Sequence, residues 1–256
     1  VYAATASLNS YRMTGTTQST AQDTTTEVAF DWEFVAPDSY RGTFTHGDSL
    51  NEFINIGNEQ YVRDDGDPSS RVSVVTTGAG FSVFNPIPTY RWGLFVSVLS
   101  QDGILELLGS LIDVETLPAE KIAELDMIRY AGRVDVNRIL DEQLEAIDLT
   151  AEERAQAVVA MEPHRAAEID VELWVGIDDS RLWKMILDGR IPIVSTTGDG
   201  VVTTEQLVYR TEVRYQDFDA IIGIDPPLSP SGAVEPGWRL EGADGGASPD
   251  PVIGTR

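Results

Sequence analysis

Hydrophobic and polar residues alternate along several long segments of the chain. The clearest segment is 27–36, where the apolar side chains occupy every second position: Val28, Phe30, Trp32 and Phe34. The same period of two returns over residues 168–175 and 205–215. Alternation of this kind is typical of β-strands with one buried and one solvent-facing side. The pattern predicts an α+β protein built on a large curved antiparallel sheet, whose apolar concave face needs a cover.

Turn-forming residues divide these patterns into short strands. Clusters of Pro, Gly, Asp and Ser separate one apolar run from the next, as expected for a meander. The predicted strands of the first part are residues 11–20, 27–36, 40–45, 50–56 and 60–63. Those of the second part are residues 127–136, 168–176, 181–187, 205–215 and 220–224.

The middle of the chain changes to helical spacing. Two short apolar helices are predicted, one with Leu94, Phe95, Val98 and Leu99, the other with Ile104, Leu105, Leu108, Leu111 and Ile112. The second is apolar around much of its circumference, so protein or ligand must surround it. Ordinary core packing and the lining of a cavity are both open at this point.

Two further helices are predicted at residues 137–147 and 151–161. Thr150 stands before Glu152 and Glu153, which is the arrangement of an N-cap followed by acidic residues in the first turn. Pro163 is expected to end the second of these helices. The sequence therefore places helical insertions between two strand-rich parts.

Composition allows one large β-rich domain. The chain has 256 residues, of which 42% are hydrophobic, enough for a full core. We assign residues 1–225 to this domain. Residues 226–256 are rich in Pro and Gly without periodicity, and they are predicted to form a tail in which Trp238 and Leu240 are the strong apolar anchors.

The charge balance excludes some classes of partner. Eighteen basic and 42 acidic residues give a formal net charge of -24, which repels nucleic-acid phosphates. No apolar run approaches the roughly 20 residues of a membrane helix, so no transmembrane segment is predicted. The chain begins at Val1 rather than Met, which we interpret as an amino terminus processed after export.

The residues of common catalytic sites are missing. The chain has no cysteine, and its two histidines, His46 and His164, stand in neither metal-binding nor triad spacing. Nucleophile-elbow, dinucleotide-binding and Walker motifs are absent. An aspartate-rich stretch at residues 63–70 lacks the later bidentate Glu of a calcium loop. We predict a protein that is not an enzyme, with no catalytic residue, metal or cofactor.

Four segments, in this order and spacing, resemble the LolA-like superfamily of lipoprotein carriers, and within it the LppX/LprG type of exported lipoprotein. The segments are Ser10-Tyr11-Arg12-Met13-Thr14-Gly15 with Phe34-Val35-Ala36-Pro37-Asp38, then residues 55–63, then 117–120 through 130–135, then 173–179. Together with residues 215–219 they run from position 10 to position 219. Each is weak alone, and the resemblance depends on their order.

The resemblance implies a half-open β-barrel with helices that close a hydrophobic cavity for acyl chains. It also implies export, to the cell surface or to the periplasm or extracellular space, and anchoring through a lipidated Cys before the mature domain. This chain has no Cys. Either it starts after that residue or the protein is not lipid-anchored.

The leading hypothesis is therefore non-catalytic binding or carriage of lipid or another hydrophobic molecule. The predicted cavity lining consists of Val28, Phe30, Trp32, Phe34, Leu94, Phe95, Val98, Leu105, Leu108, Ile112, Ile169, Val171, Leu173 and Val175. The alternative is an envelope interaction, sensor or accessory protein. Under this alternative the cavity is closed, and the acidic surface or the tail docks an envelope protein partner or a larger assembly.

Overall fold

The structure is a computed structural model that describes residues 1–21, 23–57, 59–64, 101–122, 124–146, 149–196 and 202–241. The predicted helix with Leu94, Phe95 and Val98 lies outside these residues, as does the aspartate-rich stretch beyond Asp64.

Eleven strands form the described sheet, and all their pairings are antiparallel. The first five are β1 Ser10–Ala21, β2 Thr24–Val35, β3 Ser39–His46, β4 Ser49–Ile56 and β5 Glu59–Asp64. The others are β6 Leu111–Ile122, β7 Leu125–Val134, β8 Glu168–Gly176, β9 Leu182–Thr196, β10 Val202–Gln216 and β11 Arg239–Glu241.

The strand order is β11-β5-β4-β3-β2-β1-β10-β9-β8-β7-β6. Two meanders are joined at the centre, where β1 from the start of the chain pairs with β10 from its end. The outermost strands, β6 and β11, do not pair with each other, so the described sheet stays open. The predicted curved antiparallel sheet, a half-open barrel, is confirmed.

Four described α-helices accompany the sheet: α1 Tyr2–Ala6, α2 Gln101–Gly109, α3 Val136–Ala146 and α4 Ala151–Met161. A 3-10 turn at Glu162–Ala166 follows α4. The predicted N-cap is confirmed, because Thr150 Oγ1 accepts from the backbone N–H of Glu153 and the Glu153 carboxylate accepts from that of Thr150. Helices α2, α3 and α4 bury apolar side chains in the same core as the inner side chains of the sheet, through Ile104, Leu107, Ile139, Leu140, Leu144, Ala157 and Met161.

The sequence misplaced two elements. Residues 111 and 112 were predicted to continue the helix, but the helix ends at Gly109 and Ser110 bonds back to the Leu107 carbonyl oxygen. The chain then forms β6, an edge strand that is almost wholly exposed. Residues 220–224, predicted to be a strand, form no regular element, and the Ile221 side chain is fully exposed.

Part of the predicted tail lies against the sheet. Leu240 stands opposite Tyr61 in the pairing of β11 with β5. The Arg63 guanidinium lies 4.9 Å from the centre of the Trp238 ring. Ile54 and Tyr61, which pair with each other across β4 and β5, are both buried.

On the outer face, charged side chains pair across neighbouring strands. Arg12 Nε on β1 donates to Glu33 Oε1 on β2 at 2.7 Å, and Arg41 Nε on β3 donates to Glu33 Oε2 at 2.9 Å. Burial alone would raise the pKa of Glu33, but the hydrogen bonds from the two arginines outweigh it, and the pKa is lowered. The two arginines cover Glu33, which explains how a carboxylate between Trp32 and Phe34 is buried without facing the core.

Glu33→Gln should reduce the dependence of stability on pH. A lowered carboxyl pKa contributes stability above the unfolded value of about 4.3 and loses it as pH falls through the folded value. The arginines are partly exposed, so we expect a loss of about 1 kcal/mol at pH 7 that vanishes at low pH. The free energy of unfolding is measured by urea denaturation of Glu33→Gln at pH 7 and pH 3. Asp31→Asn, at an exposed position, is the control. An equal loss at both pH values contradicts the prediction.

Glycines on the inner face let aromatic rings lie flat on the sheet. Gly42 on β3 stands opposite Trp32 on β2, and a Cβ at Gly42 would overlap the indole ring. Gly15 on β1 has the same relation to Phe30. Each ring lies directly on the backbone of a glycine. The inner face is therefore close-packed even at these two positions, where the sheet has no side chain.

Gly42→Ala should destabilise the protein by about 2 kcal/mol, because the indole must leave a packed position. For a chain of this size, the melting temperature should fall by about 5 °C. Gly109→Ala is the control, since a Cβ there meets no atom within 4 Å. Thermal unfolding by circular dichroism compares the two variants. A Gly42→Ala protein as stable as wild type would show that the indole has free space beside it.

Candidate functional site: the concave face of the sheet

The predicted register of β2 is correct. Val28, Phe30, Trp32 and Phe34 are all buried in the main core, whereas Glu27 and Asp31 are exposed. A one-residue shift would have moved the whole apolar set to the solvent side. These four side chains therefore stand on the inner face.

The second meander contributes a matching surface. Ile169, Val171, Leu173 and Val175 on β8 are buried in the same core. The next strand, β9, adds Met185 and Leu187, which pair with Leu173 and Val171. The inner face is thus apolar on both sides of the β1–β10 junction.

Trp174 on β8 is also buried, but on the outer face. It packs with Met127 and Ile186 in a small separate cluster. Arg129 and Lys184 lie over its ring, at 5.0 Å and 4.7 Å from the ring centre. The alternation of β8 therefore separates its inner residues from a tryptophan that takes no part in the concave face.

Helix α2 supplies apolar side chains from above the sheet. Ile104 and Leu107 are the buried ones, and neither was among the predicted lining residues. Leu105 and Leu108 are partly buried, and Leu108 packs against the core. Helical spacing predicted that a helix is present here. It did not show where the helix ends or which of its sides faces the sheet.

Ile112 is a wrong prediction. It lies on edge strand β6 opposite Arg133, and 40% of its surface is exposed. Its neighbour Leu111 pairs with Val134 and packs against the core, so alternation along the strand puts Ile112 on the outer side. Leu94, Phe95 and Val98 lie outside the described residues.

Aromatic rings form a continuous wall on the inner face, and most were not predicted. Tyr11 stacks on Phe34 with ring centres 4.9 Å apart, and it meets Tyr215 edge-on at 5.9 Å. Trp32 stacks on Tyr40 at 5.2 Å. Phe44 and Phe53 extend the wall across β3 and β4. The signal was present in the sequence as alternation through Tyr11 and Met13 and through Tyr209, Val213 and Tyr215.

Polar atoms are buried in this wall. Tyr11 Oη, Tyr215 Oη and Trp32 Nε1 are inaccessible to solvent and have no hydrogen-bond partner in the described part of the chain. Burial raises the pKa of both tyrosines, and the pKa of Tyr11 is raised further by Tyr215 and by the Asp102 carboxylate. All three groups therefore remain donors at neutral pH. A buried donor without an acceptor costs about 1–3 kcal/mol.

Other kinds of site have less support. The described residues contain no group of three or more His, Asp or Glu side chains placed to hold a metal ion. His46 is the last residue of β3, and His164 lies in the 3-10 turn, where burial lowers its pKa. None of the described helices has the length and apolarity that crossing a membrane requires.

Known proteins resemble the chain in structure only. No family model and no curated protein matches the sequence. The lipoprotein LppX of Mycobacterium tuberculosis is 13% identical over 87% of this chain and 93% of its own, with a TM-score of 0.46. A LolA superfamily protein of Nitrosomonas europaea is 11% identical over 88% of this chain and 92% of its own, with a TM-score of 0.31.

The MucA/MucB complex of Pseudomonas aeruginosa gives a third match. It is 9% identical over 86% of this chain and 56% of its own, with a TM-score of 0.35. Proteins of the type that the sequence resembles are thus among the structures similar to this chain. With identities and TM-scores this low, the case for a function rests on the geometry of the chain itself.

Proposed function

We propose that the concave face binds lipid or another hydrophobic molecule without chemical conversion. The observation that carries the proposal is the inner face itself. It is apolar and aromatic on both sides of the β1–β10 junction in a sheet that stays open. The described helices that cover it are only five to eleven residues long. Concave, mostly apolar surfaces at barrel mouths are common ligand sites.

Such binding needs no catalytic residue. Each buried methylene group contributes about 0.8 kcal/mol, so a chain of ten or so methylenes is held by burial alone. The aromatic wall offers large flat surfaces for this contact. A carrier of this kind works without a catalytic constellation, and we propose that the protein is not an enzyme.

The proposal includes an exported location, at the cell surface or in the periplasm or extracellular space. The sequence resemblance described above supports it. We place the binding unit in residues 1–225, because strands β1 to β10 lie there. Residues 226–256 are proposed as an appendage, whose described part adds the short edge strand β11 beside β5.

Lipid extraction of the purified protein is the direct test. If the concave face holds acyl chains, native mass spectrometry should show adducts whose masses match the extracted species. Protein heated and refolded in the absence of lipid is the control. Absence of any adduct, together with failure of the refolded protein to take up lipid, would favour the alternative of a closed, close-packed interaction domain.

Leu108→Asp should weaken binding far more than folding. An unpaired carboxylate beside a hydrocarbon chain costs several kcal/mol, which corresponds to a loss of more than about 100-fold in affinity. Leu108 is only partly buried, so water can hydrate the carboxylate in the empty protein. The measurement is the fluorescence of N-phenyl-1-naphthylamine, an uncharged probe of apolar sites, with thermal unfolding alongside.

Val159→Asp is the matched control. Val159 lies on α4 and is 74% exposed, so the same substitution should leave both probe binding and unfolding unchanged. If Leu108→Asp binds the probe as wild type does, α2 is not part of the binding surface. If it unfolds outright while Val159→Asp does not, the space below α2 is a dry core.

A further inference from the structure

We propose that Tyr11, Trp32 and Tyr215 form a polar subsite within the concave face and donate hydrogen bonds to an uncharged carbonyl group of the bound molecule. The inference rests on the proposed function and names the polar chemistry of its ligand: an acyl ester or comparable neutral carbonyl compound.

The three donors share one patch of the inner face. In the strand register, Tyr215 and Trp32 stand on either side of Met13, in one row across β10, β1 and β2. Strands lie about 4.8 Å apart, so these two residues start roughly 10 Å from each other. Tyr11 lies in the adjacent row, with its ring against both Tyr215 and Phe34. The three side chains are therefore neighbours on the inner face.

These three polar atoms are buried without a hydrogen-bond partner among the described residues. On the same face, the buried hydroxyls of Thr17 and Thr211 satisfy each other through a 2.9 Å hydrogen bond. Tyr11 Oη, Trp32 Nε1 and Tyr215 Oη have no such partner among the described residues, although each side chain is almost fully buried. Buried polar groups are nearly always paired, and a ligand carbonyl oxygen, which accepts two hydrogen bonds, would supply the missing acceptor.

The electrostatic surroundings select an uncharged acceptor. All three groups are donors without a positive charge, so they suit a carbonyl oxygen. Burial is the largest cause of the raised pKa of the Tyr11 hydroxyl, and the negative charge of the Asp102 carboxylate, at the start of α2, raises it further. That negative charge disfavours a fatty-acid carboxylate or a phosphate at the same place. The net charge of -24 acts in the same direction.

A competition experiment tests the subsite. Delipidated protein is loaded with N-phenyl-1-naphthylamine, and the probe is displaced by methyl laurate, by tridecane of similar length, and by laurate. Two net hydrogen bonds correspond to about tenfold in affinity, so methyl laurate should displace the probe about tenfold more strongly than tridecane. Laurate should be weaker than its methyl ester.

The Tyr11→Phe/Tyr215→Phe variant should lose this preference. Methyl laurate should fall to the level of tridecane, while tridecane itself is unchanged. Tyr209→Phe, on the same face of β10, is the control and should keep the preference. In the ligand-free protein, removing two unpaired hydroxyls should leave the melting temperature equal or higher. A fall of several degrees would show that the hydroxyls have a structural partner and would overturn the subsite.

The outcomes separate the two proposals. If wild type binds none of the compounds, hydrophobic binding itself is contradicted. If the compounds bind but the ester has no advantage, or the double Phe variant keeps it, hydrophobic binding stands and the polar subsite is wrong. Stronger displacement by laurate than by its ester contradicts the neutral-carbonyl assignment.

Discussion

The pairing of β1 with β10 is the interaction on which the rest of the sheet depends. It joins the two meanders and sets which side chains of both face inward. Thr17 and Thr211, 194 residues apart in sequence, share a buried hydrogen bond at this seam. At its end, Arg12 bonds to Asp217, and the backbone N–H of Asn9 donates to Asp219. A slip of one residue here would exchange the inner and outer faces.

The sequence predicts most of this architecture because burial on one side imposes a period of two. The five strands from β1 to β5 were located to within a few residues, and α4 was located by its Thr150 cap and Pro163. Strand β6 was missed because an exposed edge strand has no buried side to impose the period. Strand β11 has three residues, too few to show any period.

The candidate site was only partly predictable. Alternation identified the inner residues of β2 and β8, since their neighbours in sequence are polar. It could not identify the polar subsite, which depends on Tyr11 and Tyr215 meeting across two strands that lie far apart in the chain. Nor could it show that Trp174, which alternation puts on the outer face, is buried there, because that burial depends on Met127 and Ile186 of the neighbouring strands. Contacts between distant strands are decided by register, which a single sequence does not show.

The central position of β10 also has a consequence for the order in which the protein folds during synthesis. Strands β2 to β5 can pair with their neighbours as soon as they are made, since each follows its partner directly in the chain. Strand β1 keeps one free edge until its second partner, β10, emerges. Strand β10 is residues 202–216, close to the end of the described part of the chain. Late closure of a distant pairing is slow and exposes an unpaired strand edge. A nascent chain of this protein therefore carries an open β edge at β1 until β10 has been synthesised.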